Sequence, residues 1–206
     1  MEELKHDVRI SKALSWLLRH NAEKEGLAID SRGYVAIDDV LNHHRLKSLK
    51  CTRADLDRVV ANNAKQRFSI DGDRICATQG HSIKLVANDN MEELTAATIP
   101  SEIYHGTYRN KLPLIYQLGG LSRMGRNHVH FTLTQLRNIL GARHSANVLI
   151  YLDVDRCLAQ GLVFYRAKND AILCSGNDAG IVPLDCFARV VDARTLDPID
   201  MSAVPT

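Results

Sequence analysis

No stretch of the sequence approaches the roughly 18 uninterrupted apolar residues that a membrane-spanning helix requires. The first residues also lack the apolar segment of a secretory signal peptide, so we expect an intracellular protein, in the cytoplasm or the nucleus, without a membrane partner. The formal net charge is only +2. That value excludes a strongly basic coat over the whole surface but leaves room for a local basic pocket.

Cysteine pairs at metal-binding spacing are missing as well. The five cysteines are an odd number, are widely separated and form no C-x-x-C pair. Because zinc sites normally use closely spaced ligands, we predict reduced thiols and no zinc-cysteine centre. The cysteines are Cys51, Cys76, Cys157, Cys174 and Cys186.

The common catalytic signatures are also lacking, since there is no G-x-S-x-G, no Walker A motif and no G-x-G-x-x-G. Two acidic pairs, Asp38-Asp39 and Asp153-x-Asp155, have structural explanations. The first is placed at the start of a predicted helix, where the helix dipole favours acidic side chains. Asp153 is placed to cap a helix that follows a strand. Any chemistry is therefore expected to depend on cationic side chains.

The first half of the chain has the pattern of a small helical module followed by a hairpin. Thr52-x-x-Asp55 resembles a capping box and predicts the start of the third helix. Asp71-Gly72 lies between two short alternating segments and predicts a two-residue turn. The predicted helices are 8–20, 37–44 and one from 52, and the predicted hairpin is 68–77. Three helices and a hairpin describe a winged-helix module that ends near Val86.

The second half changes to short strands alternating with short helices. After a polar segment at 87–100, interpreted as a linker or an arm, this mixture predicts an α+β domain around a split sheet. The predicted strands are 103–104, 128–131, 148–152, 163–165, 171–173 and 187–191, and the predicted helices are 112–118, 133–140 and 154–160. The fold class is therefore α+β, with one domain at 1–90 and a second at 91–206.

Two basic motifs of the first half are candidate phosphate ligands. Arg19-His20 ends a helix, where basic side chains also bond the last carbonyls, so a structural role alone explains the pair. An arginine fork nevertheless matches a phosphate. Lys65-Gln66-Arg67-Phe68 precedes the hairpin and is either a solvated wing or a second phosphate ligand.

The densest stretch of candidate site residues is 119–130. Its three glycines and two arginines predict a loop that wraps an anion, and His128 and His130 alternate along a strand, so their side chains share one face. The H-x-H spacing also suits a metal, but no acidic residue or cysteine lies close in sequence to complete such a site. A structural role for the two histidines stays open. His105-Gly106-Thr107 leaves a predicted strand and suits a nucleotide.

Taken in order, these segments resemble the NAD-dependent RNA 2′-phosphotransferase family, whose enzymes complete tRNA splicing in fungi. The resemblance extends over nearly the whole chain, from Ile10 to Phe187, and the ordered set of motifs is far more specific than any one of them. The motifs are Leu14–His20, Gly33–Val35, Lys65–Phe68, Ala77–Ser82, His105–Thr107 and Gly120–His130.

The resemblance implies an N-terminal winged-helix lobe that binds RNA and a C-terminal ADP-ribosyltransferase-like lobe that binds NAD⁺, with the active site in the cleft between them. In the family's first step, an internal RNA 2′-phosphate attacks C1″ of NAD⁺ and expels nicotinamide. In the second step, the ribose O2″ attacks the phosphate of this ADP-ribosylated RNA. The products are 2′-OH RNA and ADP-ribose 1″,2″-cyclic phosphate. The implied partners are a spliced tRNA and NAD⁺ as co-substrate.

The same resemblance implies site residues. By motif, the family's catalytic Arg-His-Arg-Arg tetrad corresponds to Arg19, His20, Arg67 and Arg126. Arg123 and Arg143 are nearby alternatives for its fourth member. The implied NAD⁺ ligands are His105, Gly106, Thr107, Gly120, His128 and His130. No metal is implied, because arginines can hold two anionic partners together by bidentate binding.

Two other interpretations stay open at the level of sequence. One is an ADP-ribosyltransferase that modifies terminal phosphates of RNA or DNA and stops after the transfer. The other is a non-catalytic RNA-binding protein with a degenerate second lobe. The basic residues between His43 and Arg53 either extend an RNA-binding surface or form a solvated helix end. We expect a monomer, since nothing in the sequence requires a dimer.

Overall fold

The structure, a computed structural model, describes residues 2–86, 88, 91–133 and 145–203. The chain forms two compact units, Met1–Asn90 and Met91–Thr206, each with its own apolar core. Helices dominate the first unit and an antiparallel sheet dominates the second, in agreement with the predicted α+β class. None of the helices that the structure describes has the length and apolar character that a membrane crossing requires.

The first unit has its helices where the sequence pattern places them, although the first begins six residues before the predicted position 8. They are α1 (Glu2–Trp16), α2 (Ile37–Asn42), α3 (His44–Ser48) and α4 (Arg53–Ala61). The predicted helix at 37–44 is interrupted, because His43 is extended and its ring accepts a hydrogen bond from the Arg45 amide, which caps α3. The capping box of α4 is confirmed, since Thr52 and Asp55 each bond the backbone of the other.

A three-stranded antiparallel sheet completes the first unit, with the strand order β1-β3-β2. Its strands are β1 (Tyr34–Ala36), β2 (Phe68–Asp71) and β3 (Arg74–Ala77). The predicted hairpin is confirmed, but the turn lies one position later than expected, at Gly72-Asp73, because Asp71 pairs with Arg74. Gly72 has φ +60°, which fits the first central position of a type II′ turn.

The second unit is built on a seven-stranded antiparallel sheet with the order β12-β8-β5-β7-β10-β9-β4, beside a two-stranded sheet of β11 and β6. Its strands are β4 (Glu92–Leu94), β5 (Ile103–Thr107), β6 (Gly120–Ser122), β7 (Val129–Leu133), β8 (Val148–Leu152), β9 (Phe164–Arg166), β10 (Ile172–Cys174), β11 (Ile181–Pro183) and β12 (Phe187–Asp192). Strand β8 is buried at all five positions, which explains its unbroken apolar sequence.

Two helices of the second unit confirm their predictions to within a residue, namely α5 (Leu112–Gln117) and α6 (Val154–Ala159). Asp153 caps α6 as expected, because its side chain accepts a hydrogen bond from the Arg156 amide. The predicted helix at 133–140 falls outside the described residues, except for Leu133, which ends β7.

The prediction of a linker or an arm at 87–100 is wrong for its central part. Residues Glu92–Leu94 form the edge strand β4, which pairs with β9. Leu94 is almost fully buried in the core of the second unit, so this segment contributes apolar surface to the fold. The strands β1, β6 and β11, each of three residues, are also missing from the sequence prediction.

Candidate active site

A π-helical turn at Leu17–Asn21 presents the first two candidate catalytic residues. The widened geometry of this turn is evident from the Ala22 amide, which donates to the carbonyl of Leu17, five residues earlier, at 2.7 Å. Leu17 and Leu18 are completely buried, so they anchor the turn while the next two residues, Arg19 and His20, emerge half-buried. Such turns interrupt α-helices frequently at functional sites.

The segment that follows β3 packs directly against this turn. The Ser82 amide donates to the Arg19 carbonyl at 2.9 Å, and Ser82 Oγ lies 2.9 Å from Nδ1 of His20. Gly80 has φ +82°, and a Cβ at that position would lie 3.5 Å from the Arg19 side chain. The backbone conformation therefore favours glycine there, and it brings the chain against the arginine.

The same segment also fixes the backbone beside the third candidate. The Thr78 amide donates to the Arg67 carbonyl at 2.9 Å, and Thr78 Oγ1 donates to the Gln66 carbonyl at 2.8 Å. Nη1 of the Arg67 guanidinium donates a hydrogen bond to Oδ1 of Asn63 at 3.3 Å. In the described part of the chain, no carboxylate forms a salt bridge with Arg67.

Three members of the predicted tetrad, Arg19, His20 and Arg67, are thus connected through one short segment, 78–82. The contacts that join them to this segment and to Asn63 come from hydroxyls, an amide side chain and the backbone. Because no carboxylate among the described residues forms a salt bridge with Arg67, its guanidinium keeps its capacity for bidentate phosphate binding. The arrangement is suited to an anion with several oxygen atoms.

The second unit contains a cavity of about 460 Å³. It is lined by His105, Gly106, Ser122, Arg123, Met124, Gly125, Arg126, His128, Val129, His130 and Thr132. The cavity therefore collects four of the six predicted NAD⁺ ligands together with the fourth tetrad candidate. Its volume lies in the range of roughly 300–1,000 Å³ that small-molecule and cofactor sites occupy.

Pairing of β5 with β7 sets the tautomer of one histidine in this cavity. Nδ1 of His105 lies 2.8 Å from the His130 carbonyl oxygen. A carbonyl only accepts hydrogen bonds, so Nδ1 must carry the proton in the neutral ring and Nε2 is then an acceptor. Gly106 lies beside it, and a Cβ there would approach Ala146 Cβ to 3.3 Å. The contact with the His130 carbonyl therefore fixes which ring nitrogen of His105 carries the proton.

Two neighbouring arginines of the cavity, Arg123 and Arg126, differ in exposure and in the contacts that their side chains make. Arg123 is tied into the protein, since its Nη1 donates to the Arg126 carbonyl at 2.9 Å and its amide donates to the Gly180 carbonyl at 2.9 Å. Arg126 is exposed at the cavity, and no side chain among the described residues forms a salt bridge with it. The geometry favours Arg126 as the anion ligand, while Arg143 lies outside the described residues.

His128 stays neutral inside this cavity. Burial, with a smaller contribution from the Arg123 charge, lowers the pKa of His128 to about 4. Its ring lies edge-on to Tyr165, with the centroids 6.1 Å apart. A neutral imidazole with an aromatic neighbour offers a hydrogen bond to a polar ligand without adding charge.

Two of the predicted NAD⁺ ligands are not among the residues that line the cavity. Thr107 is nearly fully buried, and its carbonyl accepts from the Asn147 amide at 3.1 Å. Gly120 has φ +151°, and a Cβ there would overlap the Val182 carbonyl oxygen on the paired strand. The pairing of β6 with β11 accounts for this glycine, and a ligand role for either residue stays a prediction.

Sequence reasoning missed two residues that support the candidate site. Asn63 contacts the Arg67 guanidinium, and the sequence signals it only by its position two residues before the basic motif at Lys65. Gly180 lies under Arg123, because a Cβ there would come within 2.5 Å of Arg123 Nε. That contact joins distant parts of the sequence and leaves no local pattern.

Comparison with known proteins gives one consistent result. A model of the RNA 2′-phosphotransferase, Tpt1/KptA family matches residues 5–176. The tRNA 2′-phosphotransferase of Saccharomyces cerevisiae is 41% identical over 203 residues, covering 93% of this chain and 86% of the relative. The tRNA 2′-phosphotransferase 1 of Danio rerio is 37% identical, covering 96% and 89%. A probable RNA 2′-phosphotransferase of Trichormus variabilis is 36% identical, covering 83% and 92%.

These matches confirm the resemblance drawn from the ordered motifs, and they span both compact units. The chain belongs to the RNA 2′-phosphotransferase, Tpt1/KptA family.

Proposed function

We propose that the protein transfers an internal 2′-phosphate of RNA to NAD⁺, and that spliced tRNA is its substrate. The observation that carries the proposal is the cluster of Arg19, His20 and Arg67 on one connected framework. Family membership supports it, since relatives are named tRNA 2′-phosphotransferases.

We interpret the first unit as a winged-helix lobe that binds RNA and the second as an ADP-ribosyltransferase-like lobe that binds NAD⁺. Helices followed by a three-stranded antiparallel sheet support the first assignment. The cavity in the second unit supports the other, because a cationic Arg126 suits the pyrophosphate and His105 Nε2 suits a ribose hydroxyl. The assignment of the second unit rests on the residues that line this cavity and on its volume.

In the first chemical step, a 2′-phosphate oxygen forms a bond to C1″ of the nicotinamide ribose, and the bond to nicotinamide breaks with its electron pair. A phosphate dianion is already a competent nucleophile, so the site needs no general base. Its task is to hold two anionic substrates together against their repulsion, which arginine forks achieve. Arg19 and Arg67 would clamp the phosphate, and Arg126 the pyrophosphate.

In the second step, the ribose O2″ forms a bond to phosphorus and the RNA 2′-oxygen leaves, gaining a proton. Charge moves around the phosphoryl group, so electrostatic clamping dominates. His20 would carry the proton between the two oxygens, because imidazole both accepts and donates. The contact with Ser82 fixes the ring for this transfer.

The test is incubation of the protein with NAD⁺ and a short RNA bearing one internal 2′-phosphate, with products resolved by mass. We expect 2′-OH RNA, nicotinamide and ADP-ribose 1″,2″-cyclic phosphate. An RNA that gains ADP-ribose and goes no further would replace the proposal with an ADP-ribosyltransferase. If the RNA undergoes no NAD⁺-dependent change, the remaining interpretation is a non-catalytic RNA-binding protein.

A further inference from the structure

We propose that the first unit has a second RNA-binding groove, formed by Arg9, Lys12, Arg45 and Trp16, which holds the strand that flanks the 2′-phosphate. The inference rests on the proposed function for the identity of the RNA. The groove has a volume of about 520 Å³. It is lined by Arg9, Lys12, Ala13, Trp16, Arg45, Ser48 and Leu49. Three of these seven residues are cationic and none is acidic.

The cations of the groove are available to a ligand. Arg9, Lys12 and Arg45 are all exposed. Across the residues that the structure describes, none of the three takes part in a salt bridge. Cations that converge on one groove without carboxylate partners repel one another, and a polyanion relieves that repulsion.

Arg45 is stacked on an aromatic ring. Its guanidinium carbon lies 3.6 Å from the centroid of the Trp16 ring. Such a pair extends the flat surface of the indole with a charged plane, on which a nucleobase can stack while its phosphate is neutralised. An acidic peptide would satisfy the charges but would make no use of the plane, so the observations favour RNA.

The groove is held in shape before any ligand arrives. The Arg45 amide donates to Nδ1 of His43 at 3.4 Å, and Nε2 of His43 lies 2.9 Å from Oε2 of Glu25. The Ser48 hydroxyl donates to the Arg45 carbonyl at 2.9 Å. This network fixes the start of α3, from which Arg45 reaches Trp16, and fixed contacts lower the ordering cost of binding.

The same contacts argue against a metal site. Donor atoms of Glu25, His43 and His44 lie within 4.8 Å of one another. Because Nδ1 of His43 accepts from a backbone amide, its proton resides on Nε2 and is donated to Glu25. That bond lowers the pKa of the Glu25 carboxyl, with smaller contributions from His44 and Arg45. A metal ion would have to displace a proton already engaged in this pair.

The groove lies on a different flank of α1 from the cavity that Arg67 lines. A separate cavity of about 290 Å³ is lined by Ser11, Lys65 and Arg67 among others. Arg9 and Ser11 project about 160° apart around the helix, at 3.6 residues per turn. One phosphate therefore cannot contact both the Arg9 side and the Ser11 side of the helix. The groove must hold a different part of the RNA from a 2′-phosphate bound at Arg67.

The test compares a groove variant with a matched charge control. The groove variant combines Arg9→Gln, Lys12→Gln and Arg45→Gln. The control variant combines Lys24→Gln, Lys84→Gln and Lys111→Gln, which are exposed and remove the same charge elsewhere. Thermal unfolding checks that both fold. Arg45→Lys keeps the charge and removes the flat guanidinium.

Binding is measured first, by fluorescence anisotropy with a single-stranded RNA of about ten nucleotides that carries no 2′-phosphate. We expect the groove variant to lose affinity roughly tenfold, and its slope of log K against log salt to fall by about 2, for three phosphate contacts. Arg45→Lys should show a loss of affinity with an unchanged salt slope. Equal losses in the groove and control variants would overturn the proposal. So would an equal loss of affinity for polyglutamate of the same length.

Activity provides the second readout. A minimal 2′-phosphorylated RNA with a single nucleotide on each side should give the same kcat and KM with the wild-type protein and the groove variant. A longer RNA, extended by about ten nucleotides on each side, should show a raised KM in the groove variant only. A change that is the same for both RNAs would contradict a flanking role. If the wild-type protein processes neither RNA, the proposed function fails while the binding result still decides the groove.

Discussion

Ser82 Oγ lies 2.9 Å from Nδ1 of His20, and the Ser82 amide donates to the carbonyl of Arg19. One residue thus holds both the backbone and the side chain of the π-helical turn. The hydroxyl fixes the orientation of the imidazole, so Nε2 points in one direction. A group that moves a proton depends on this kind of support.

Ser82→Ala should lower kcat by about two- to tenfold, the worth of one hydrogen bond, with little change in KM for RNA. A double-mutant cycle with His20→Ala distinguishes an effect on the orientation of the imidazole from an effect on folding. In the His20→Ala background, Ser82→Ala should have almost no further effect, because the ring that it orients is gone. Additive losses would show that Ser82 acts independently of His20.

Arg67→Gln should reduce kcat/KM by roughly 100- to 1,000-fold, in line with the loss of a donor that stabilises developing charge. Arg67→Lys should recover only part of this loss, since an ammonium cannot reproduce the bidentate fork. Steady-state rates with 2′-phosphorylated RNA provide the measurement. Arg53→Gln is the control, because the partners of Arg53 among the described residues are an exposed carboxylate, Asp57, and a backbone carbonyl, and a similar loss there would sink the assignment.

Gly180→Ala should raise KM for NAD⁺ and leave KM for RNA unchanged. The added Cβ would come within 2.5 Å of Arg123 Nε, so Arg123 must move and release the Arg126 carbonyl that it holds. Gly161→Ala is a matched control. Its φ of +79° imposes the same backbone strain as the +74° of Gly180, but nothing lies within 4 Å of its Cβ. Equal effects of the two substitutions would leave Arg123 without a positioning role.

The burial of His128 predicts that the free energy of unfolding decreases in acid. Its pKa is lowered from 6.5 to about 4 by burial, so the unfolded chain takes up the proton first as the pH falls. The free energy of unfolding should therefore decrease between pH 6.5 and pH 4, by roughly 3 kcal/mol for this one group. Urea unfolding of His128→Gln should show a correspondingly weaker pH dependence. If His128→Gln had the same pH dependence of stability as the wild-type protein, that result would contradict a buried neutral ring. His44→Gln, at an exposed position, is the reference variant.

Local signals in the sequence predicted much of this fold. The α4 capping box and the N-cap at Asp153 depend on residues three positions apart, and the apolar run of β8 appears in the sequence directly. The hairpin turn was displaced by one position, because strand pairing and not the Asp71-Gly72 pair sets its register.

The parts that escaped prediction depend on contacts between distant residues. Nothing in the sequence of Leu17–Asn21 distinguishes a π-helical turn from an ordinary helix end, and the turn is held by Ser82 from another segment. The contrast between Arg123 and Arg126 emerges only once Gly180 is placed beneath the first. The motifs indicated which residues belong to the site, and the tertiary contacts indicate how each side chain is held.

The most direct measurement follows the phosphorus atom itself. An RNA whose internal 2′-phosphate is radiolabelled is incubated with the protein, with and without NAD⁺. The account predicts that the label moves, only when NAD⁺ is present, into ADP-ribose 1″,2″-cyclic phosphate, and that Arg67→Gln slows this transfer. Label that remains on the RNA, or appears as inorganic phosphate without NAD⁺, would contradict it.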